Sequence, residues 1–518
     1  MEDLLSRFVE ATCILLTGFA FVYHENLSYM EAFGIILGFI AYKMPENLKS
    51  AVRTSSDQGV LYLIIPVFVT CALRNNELYF ETMFCASLVC FFQWVLRARI
   101  HTFNLDVLLG SLCCAYTGSL FTFIFSLLAL QIQNHLVYLW VSAFRRSCTI
   151  GEAGILLTFL SLATTDYCCF ILDYLFNVNH SKRLEVTVLI QGSILSILCV
   201  PLPLSSFFCK FARREIETVD VNPRESPDQH RRDRLVSITS VPLLVWDLGV
   251  MRLMDLVIFY GGILSFGMIA VIPMISMLIG DILILWVRDY IFCRWLHICL
   301  LSYWFASLLI SLPLIHFFAS NQRLIITRKL YHILALIMFS HAIVLAPQFI
   351  SLSFGFACGI LLLLEYVRIC RVPPFGNWLH IYLTSYTDSR DQGPVILTHI
   401  YLLVGCAFPL WVFPDGASLA PFAGLIILGA GDAAGAIVGS TRGHYKWPGG
   451  NKTVEGTVAA FTACMFCLFV FSFFVSFDIR WGPVTLATLL TCMLEAFTKQ
   501  IDNLTLPVIY SSLLYISN

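Results

Sequence analysis

Two carboxylates, Asp432 and Asp502, each stand at the mouth of a long apolar run, and a glycine-rich stretch with two lysines lies between them. A carboxylate at the edge of an apolar segment is costly unless it is paired, hydrated or bound to metal, so a functional role is its default reading. With Asn503 they form an oxygen-only set, Asp432, Asp502 and Asn503, that suits a hard cation such as Mg2+ better than zinc or iron. The stretch between them, GDAAGAIVGSTRGHYKWPGGNKTVEGT from Gly431 to Thr457, has the composition of a phosphate cradle, with Lys446, Lys452, Thr453 and the flexible pair Gly449 and Gly450. Backbone N–H groups and ammonium groups neutralise a polyphosphate, and a nearby Asp can hold the Mg2+ that bridges it. The stretch is not a Walker A loop, because the positions six and one before Lys452 hold Lys446 and Asn451 where that motif needs glycine.

Plainer readings stand beside these. Glycines 429, 431, 435 and 439 recur at helical spacing, which serves either close helix packing or the approach of a ligand to open backbone. The lysine loop also reads as a solvated basic connection. Glu365 and Arg368, at i and i+3, could pair only with one another. His332 and His399 each border an apolar run, and neither spacing assigns a base. Further polar groups fall in RKLYH (Arg328, Lys329, His332), in TDSRDQGPVILTH (Asp391, His399) and in EAFTKQIDNLTLP (Glu495, Asp502, Asn503).

The elements that must position these residues are membrane helices. The chain has 518 residues, 58% hydrophobic and 13% charged, with a mean hydropathy of +0.81, against about 25% charged for a soluble domain. Apolar runs of about 15 to 25 residues recur throughout and predict roughly 13 to 16 spanning helices in an all-α polytopic bundle. A net charge of −1 argues against a nucleic-acid partner. The scattered cysteines, the Cys464–Cys467 pair included, read as small core residues. Phe8 to Tyr23 reads as a retained first helix.

Residues 1–320 form a multi-helix region with one polar linker, 213–234, and residues 321–518 carry the candidate site. Helix pairs fit between Lys329 and Glu365, Pro394 and Gly431, and Thr457 and Ala496. Each pair returns the chain to the side it left, which places the polar clusters on one membrane face. That face carries Arg328, Lys329, Arg368, Lys446 and Lys452, and the positive-inside rule assigns it to the cytoplasm. Sequon matches at Asn451 and Asn503 are therefore expected to stay unmodified.

In order along the chain, RKLYH, DQGPVILTHIYLLVGCAFPLW, the Gly431–Thr457 stretch and EAFTKQIDNLTLP resemble the dolichol kinase family, within the wider group of CTP-dependent polyprenol, phytol and diacylglycerol kinases. CTIGEAG, Cys148 to Gly154, is similar to a further family element. The resemblance implies a multi-pass enzyme of the endoplasmic reticulum that phosphorylates dolichol from CTP, with Mg2+, at a site facing the cytosol. It implies CTP contacts at Gly431, Asp432, Gly439, Ser440, Thr441, Lys446, Gly449, Gly450, Lys452, Thr453, Glu455 and Gly456. Asp432, Asp502, Lys446 and Lys452 would be catalytic, Asp432 acting as metal ligand or as general base. Arg328, Lys329, His332, Glu365, Arg368, Asp391, His399 and Glu495 would support them. A lipid cytidylyltransferase is disfavoured because the chain has QIDNLTLP in place of the KD…HGG…DR-type signature of the related CDP-diacylglycerol synthases, and a transporter because the polar groups cluster at one face, in one half, without an internal repeat.

Overall fold

The computed structural model describes residues 2–24, 52, 59–73, 78–96, 103–143, 146–176, 183–200, 250–319, 324–384, 393–414, 418–475 and 477–517. Asp391 and the polar linker 213–234 lie outside the described residues. Among those described, the chain is helical, with a single β-bridge between Lys446 and Thr453. The N-terminal helices are α1 (Glu2–His24), α2 (Ile65–Leu73, entered through a 3-10 turn at Val60–Ile64), α3 (Leu78–Leu96), α4 (Phe103–Thr117), α5 (Leu120–Ala143) and α6 (Ile150–Phe176). Next come α7 (Glu185–Cys199), α8 (Val250–Phe266), α9 (Ile272–Ile279), α10 (Leu283–Phe292), α11 (Trp295–Ala319), α12 (Leu324–Leu345) and α13 (Pro347–Ile369). The C-terminal part holds α14 (Gly376–Thr384), α15 (Thr398–Val412), a π-helix (Leu425–Asp432), α16 (Ala433–Arg442), α17 (Val454–Ser472), α18 (Trp481–Phe497) and α19 (Asp502–Ser517).

Seven of the described helices are long and apolar enough to cross a membrane, with six shorter apolar helices beside them. The protein is thus an all-α polytopic membrane protein, as its composition predicts. Helix α11 shows the lipid-facing type: Phe305, Leu309, Ile310 and Phe317 are exposed, a surface water would not tolerate as one patch. Helix α2 shows the opposite type. All nine of its residues are buried, as an all-round apolar helix requires.

The chain divides into two compact units that do not follow chain order. The first comprises Met1–Asn179, Arg294–Ser351 and Tyr401–Asn518. Within it α1 packs on α18 and α19, α2 on α3 and α19, and α5 on α3, α4 and α6, while the π-helix is clasped between α12 and α17. Glycine makes these approaches possible: a Cβ at Gly424 would lie 2.2 Å from the Gly405 carbonyl oxygen, and one at Gly429 2.7 Å from Leu336 Cβ on α12. The second unit, His180–Cys293 with Leu352–Ile400, has its own core of Val200, Phe259, Tyr366, Cys370 and Val372. The predicted helix pairs are present as α12 with α13, α15 with the π-helix, and α17 with α18.

Candidate active site

The glycine-rich stretch folds into three pieces. Its first part is α16, pressed along α17 through small residues: a Cβ at Gly435 would meet the Gly456 carbonyl oxygen at 3.3 Å, and one at Gly456 would come within 2.8 Å of the Gly435 carbonyl oxygen. The close-packing role read for these glycines is thus present in the fold. The second part, Tyr445 to Val454, is a miniature hairpin. Trp447 N–H donates to the Lys452 carbonyl at 3.0 Å and Val454 N–H to the Tyr445 carbonyl at 2.8 Å, and Gly449 makes the turn with φ +75°. Trp447 anchors it, its indole N–H donating to Thr457 Oγ1 at 2.9 Å and its ring lying 5.2 Å from that of Phe497.

The third part is the start of α17. Thr453, extended at φ −112° and ψ 152°, is its N-cap, its hydroxyl oxygen accepting from Gly456 N–H at 3.2 Å. Glu455 in the first turn accepts from the His444 and Tyr445 N–H groups at 2.9 and 3.1 Å. Thr453 and Glu455 thereby fix the hairpin against the helix. Lys446 and Lys452, expected to act alike, part company: Lys446 is exposed, whereas Lys452 turns inward and its side chain is one-third exposed.

Asp432 ends the π-helix, a wide-turned segment that recurs at functional sites; all eight of its residues are buried. The missing side chain at Gly429 lets this segment lie against α12, which brings up Lys329 and His332. Lys329 Nζ pairs with Asp432 Oδ2, the two side chains being 16% and 4% exposed. His332 Nδ1 stands 3.2 Å from the same oxygen and 3.3 Å from the Leu428 carbonyl oxygen. Both neighbours are acceptors, so Nδ1 carries the hydrogen.

The second half of the site is built on α18 and α19. Lys452 Nζ donates to Glu495 Oε1 at 3.1 Å and to Asp502 Oδ2 at 3.2 Å. Burial opposes the charged ammonium, but Asp502, Glu495 and Asp432 together outweigh it and hold the Lys452 pKa above its ordinary value. Asp432 therefore belongs to the same electrostatic group as Glu495 and Asp502. With two lysines against three carboxylates, the cluster has capacity for a further cation.

Among the described residues no three His, Cys, Asp or Glu side chains are pre-assembled as a metal site. Mg2+ does not demand one, since it takes one or two carboxylates and fills its shell with water and phosphate oxygens. Glu495 Oε2 is buried with no hydrogen-bond partner, and such an oxygen is what a hard cation would satisfy. Asn503, the remaining residue of the expected oxygen set, is buried in the first turn of α19.

The other candidates distribute as follows. Gly431 is buried in the π-helix, while Gly439, Ser440 and Thr441 lie on α16, the Thr441 hydroxyl donating to the Ile437 carbonyl at 2.7 Å. Gly450 follows Gly449 in the hairpin turn. Arg328 is half-buried beside Lys329 on α12. His399 lies in the first turn of α15. In the second unit Glu365 and Arg368 form a bidentate pair at 2.7 Å on both bonds, as their spacing allows. Glu365 Oε1 also accepts from Ile396 N–H at 2.7 Å, and Arg368 meets His380 Nδ1 at 3.2 Å. Sequence reading grouped Lys329 and Glu495 only as supporting residues; the structure gives them the direct ion pairs of the site.

A polytopic helical membrane protein with a buried lysine–carboxylate cluster beside a glycine-rich hairpin has the makings of an enzyme that handles a charged, phosphorylated group at a membrane surface. Comparison with known proteins narrows the class. The family model described as dolichol kinase matches residues 236–417. An Arabidopsis thaliana protein, dolichol kinase EVAN, is 30% identical over 413 residues, 75% of this chain and 67% of its own length. The mouse dolichol kinase is 33% identical over 268 residues, 47% of this chain and 49% of its own length. Dolichol kinase sec59 of Schizosaccharomyces pombe is 36% identical over 207 residues, 39% of this chain and 41% of its own length. No solved structure matches. The chain belongs to the dolichol kinase family.

Proposed function

We propose that the chain transfers the γ-phosphate of CTP to the terminal hydroxyl of dolichol at the cytosolic face of the endoplasmic reticulum. The product, dolichyl phosphate, would serve protein glycosylation and GPI-anchor assembly. Family membership supports the acceptor, and the resemblance of the Gly431–Thr457 stretch supports CTP as donor. The observation that carries the chemistry is Lys452, reaching from the glycine-rich hairpin to Glu495 and Asp502 and within the field of Asp432.

Phosphoryl transfer is mainly positioning and charge neutralisation. Without nucleotide, the lysines and carboxylates neutralise one another. On nucleotide binding the Lys329 and Lys452 ammonium groups turn to phosphate oxygens, leaving Glu495 and Asp502 to hold Mg2+. Held there, the ion would supply positive charge to offset what gathers on the phosphates. Relieved of Lys329, Asp432 Oδ2 is the oxygen placed to take the proton from the dolichol hydroxyl, while His332 Nδ1–H keeps the carboxylate oriented. The exposed Lys446 meets the nucleotide on its way in. Dolichol enters between helices from the lipid.

Membranes carrying the chain, given dolichol, Mg2+ and CTP labelled at either the γ- or the α-phosphate, test the reading. Lipid labelled from the γ position alone is the expected result. Label from the α position would mean nucleotidyl transfer, and unlabelled lipid would remove dolichol as acceptor.

A further inference from the structure

Glu152 is wholly buried at the start of α6 and bonds to a backbone N–H 349 residues further along the chain. One of its oxygens has a local explanation. Thr149 and Glu152 form a reciprocal cap on α6: Glu152 N–H donates to Thr149 Oγ1 at 3.2 Å and Thr149 N–H to Glu152 Oε2 at 3.1 Å. The other oxygen is not needed for the cap. Glu152 Oε1 accepts from Ile501 N–H at 2.9 Å, the residue immediately before Asp502.

The same short segment joins Glu495 on α18 to Asp502 on α19, and Phe497, Thr498, Gln500 and Ile501 in it are all bonded to the N-terminal part of the chain. Thr149 Oγ1 donates to the Gln500 amide oxygen. The Tyr62 hydroxyl lies 2.6 Å from Thr498 Oγ1 and donates to Glu10 Oε1 at 2.8 Å. Ser6 Oγ reaches the Phe497 carbonyl oxygen at 3.4 Å. Two glycines admit the clasp: a Cβ at Gly59, whose φ is +63°, would lie 2.5 Å from the Gln500 side chain, and one at Gly151 2.3 Å from the Gly59 carbonyl oxygen.

We infer that Glu152 is a positioning residue for Asp502. A charge-assisted bond from a fully buried carboxylate fixes the peptide from which Asp502 begins α19, and so sets where Asp502 meets Lys452. The N-terminal helices thereby form part of the active site without contributing a group to it. This inference rests on the nucleotide-binding reading of Lys452 and Asp502 given above.

Glu152→Gln isolates the role, because Gln also serves the α6 cap but cannot accept from Thr149 N–H and Ile501 N–H together. The purified 518-residue chain in detergent is titrated with labelled CTP in Mg2+, as wild type, Glu152→Gln, Asp502→Asn and the double variant. Loss of one charge-assisted bond should raise the Kd for Mg2+–CTP about tenfold, with the nucleotide-free melting temperature little changed. In the Asp502→Asn background the same change should cost less than about twofold, since residues acting through one another are not additive. Losses that multiply, or a nucleotide-free melting temperature that falls while Kd holds, would overturn the inference and leave Glu152 a structural cap. If Glu152→Gln does not fold, Gln500→Met decides: it removes the acceptor for Thr149, and an unchanged Kd there overturns the clasp. A wild type that itself fails to bind Mg2+–CTP brings down the nucleotide reading, and with it this inference.

Discussion

Removing the charge from Lys329 should cost more than removing both charges of its pair. In Lys329→Met the Asp432 carboxylate, 4% exposed, loses its ammonium and keeps only the His332 Nδ1 contact at 3.2 Å. Breaking a buried pair by deleting one partner costs about 3–5 kcal/mol. The lower end, about 3 kcal/mol, applies here because the His332 Nδ1–H still faces the stranded carboxylate at 3.2 Å. In Lys329→Met/Asp432→Asn no charge is stranded, and replacing a buried pair by uncharged groups is often nearly neutral, so the remaining cost should stay under about 1.5 kcal/mol. The coupling between the sites is then at least about 1.5 kcal/mol even if Asp432→Asn alone costs nothing, well beyond the few tenths by which independent changes depart from additivity. Thermal melting of the four purified proteins in detergent measures it, with γ-label transfer to dolichol assayed on the same samples. Stability should return in the double variant while turnover stays lost. Additive destabilisation would refute the buried pair, and a double variant with wild-type turnover would make Asp432 a mere counter-ion and remove it from the chemistry.

Asp432→Ala should abolish nearly all phosphate transfer while the protein still inserts in the membrane; activity like that of the wild type would exclude the residue from the mechanism. Lys452→Ala should weaken Mg2+–CTP binding at least about tenfold, the scale of one charge-assisted contact, whereas Lys446→Ala, at an exposed position, should change it by less than about threefold. Equal effects of the two substitutions on Kd would contradict the inward and outward placement of the hairpin lysines. Because Lys452 is held above its ordinary value of about 10.4, its contribution is fully present below that value and is lost only as pH rises through the higher folded-state value. CTP affinity should therefore show no lysine-type fall between about pH 7.5 and about pH 9.5, which a Kd series across that range checks. Gly456→Val should separate α16 from α17, since even a Cβ there meets the Gly435 carbonyl oxygen at 2.8 Å. The cost expected for overpacking is about 1–3 kcal/mol, read as a fall in melting temperature.

What the sequence disclosed and what it withheld divide along one physical line. Helix pairs around the polar clusters follow from the length of each apolar run, a local property, and the structure contains them. The glycines at 429, 431, 435 and 439 are legible as a pattern, but spacing alone does not choose between a ligand cradle and packing, since both need an absent side chain. What lies opposite is set by the tertiary fold, and opposite them lie Leu336, Cys464, Ala460 and Thr453. Lys329 and Lys452 show the same limit from the side of charge. Each stands near other polar residues in sequence, yet the partner of Lys329 is Asp432 and those of Lys452 are Glu495 and Asp502, choices made by which helices touch. Glu152 was the least legible of all. T-x-x-E announces a helix cap, and that signal fully accounts for one carboxylate oxygen. Nothing in the local pattern records that the second oxygen is spent on Ile501, because a long-range bond to a backbone N–H leaves no residue-type signature at its far end. A backbone donor is present at every non-proline position, so the N-terminal helices can hold the site's peptide while their sequence shows only hydrophobicity and one short motif.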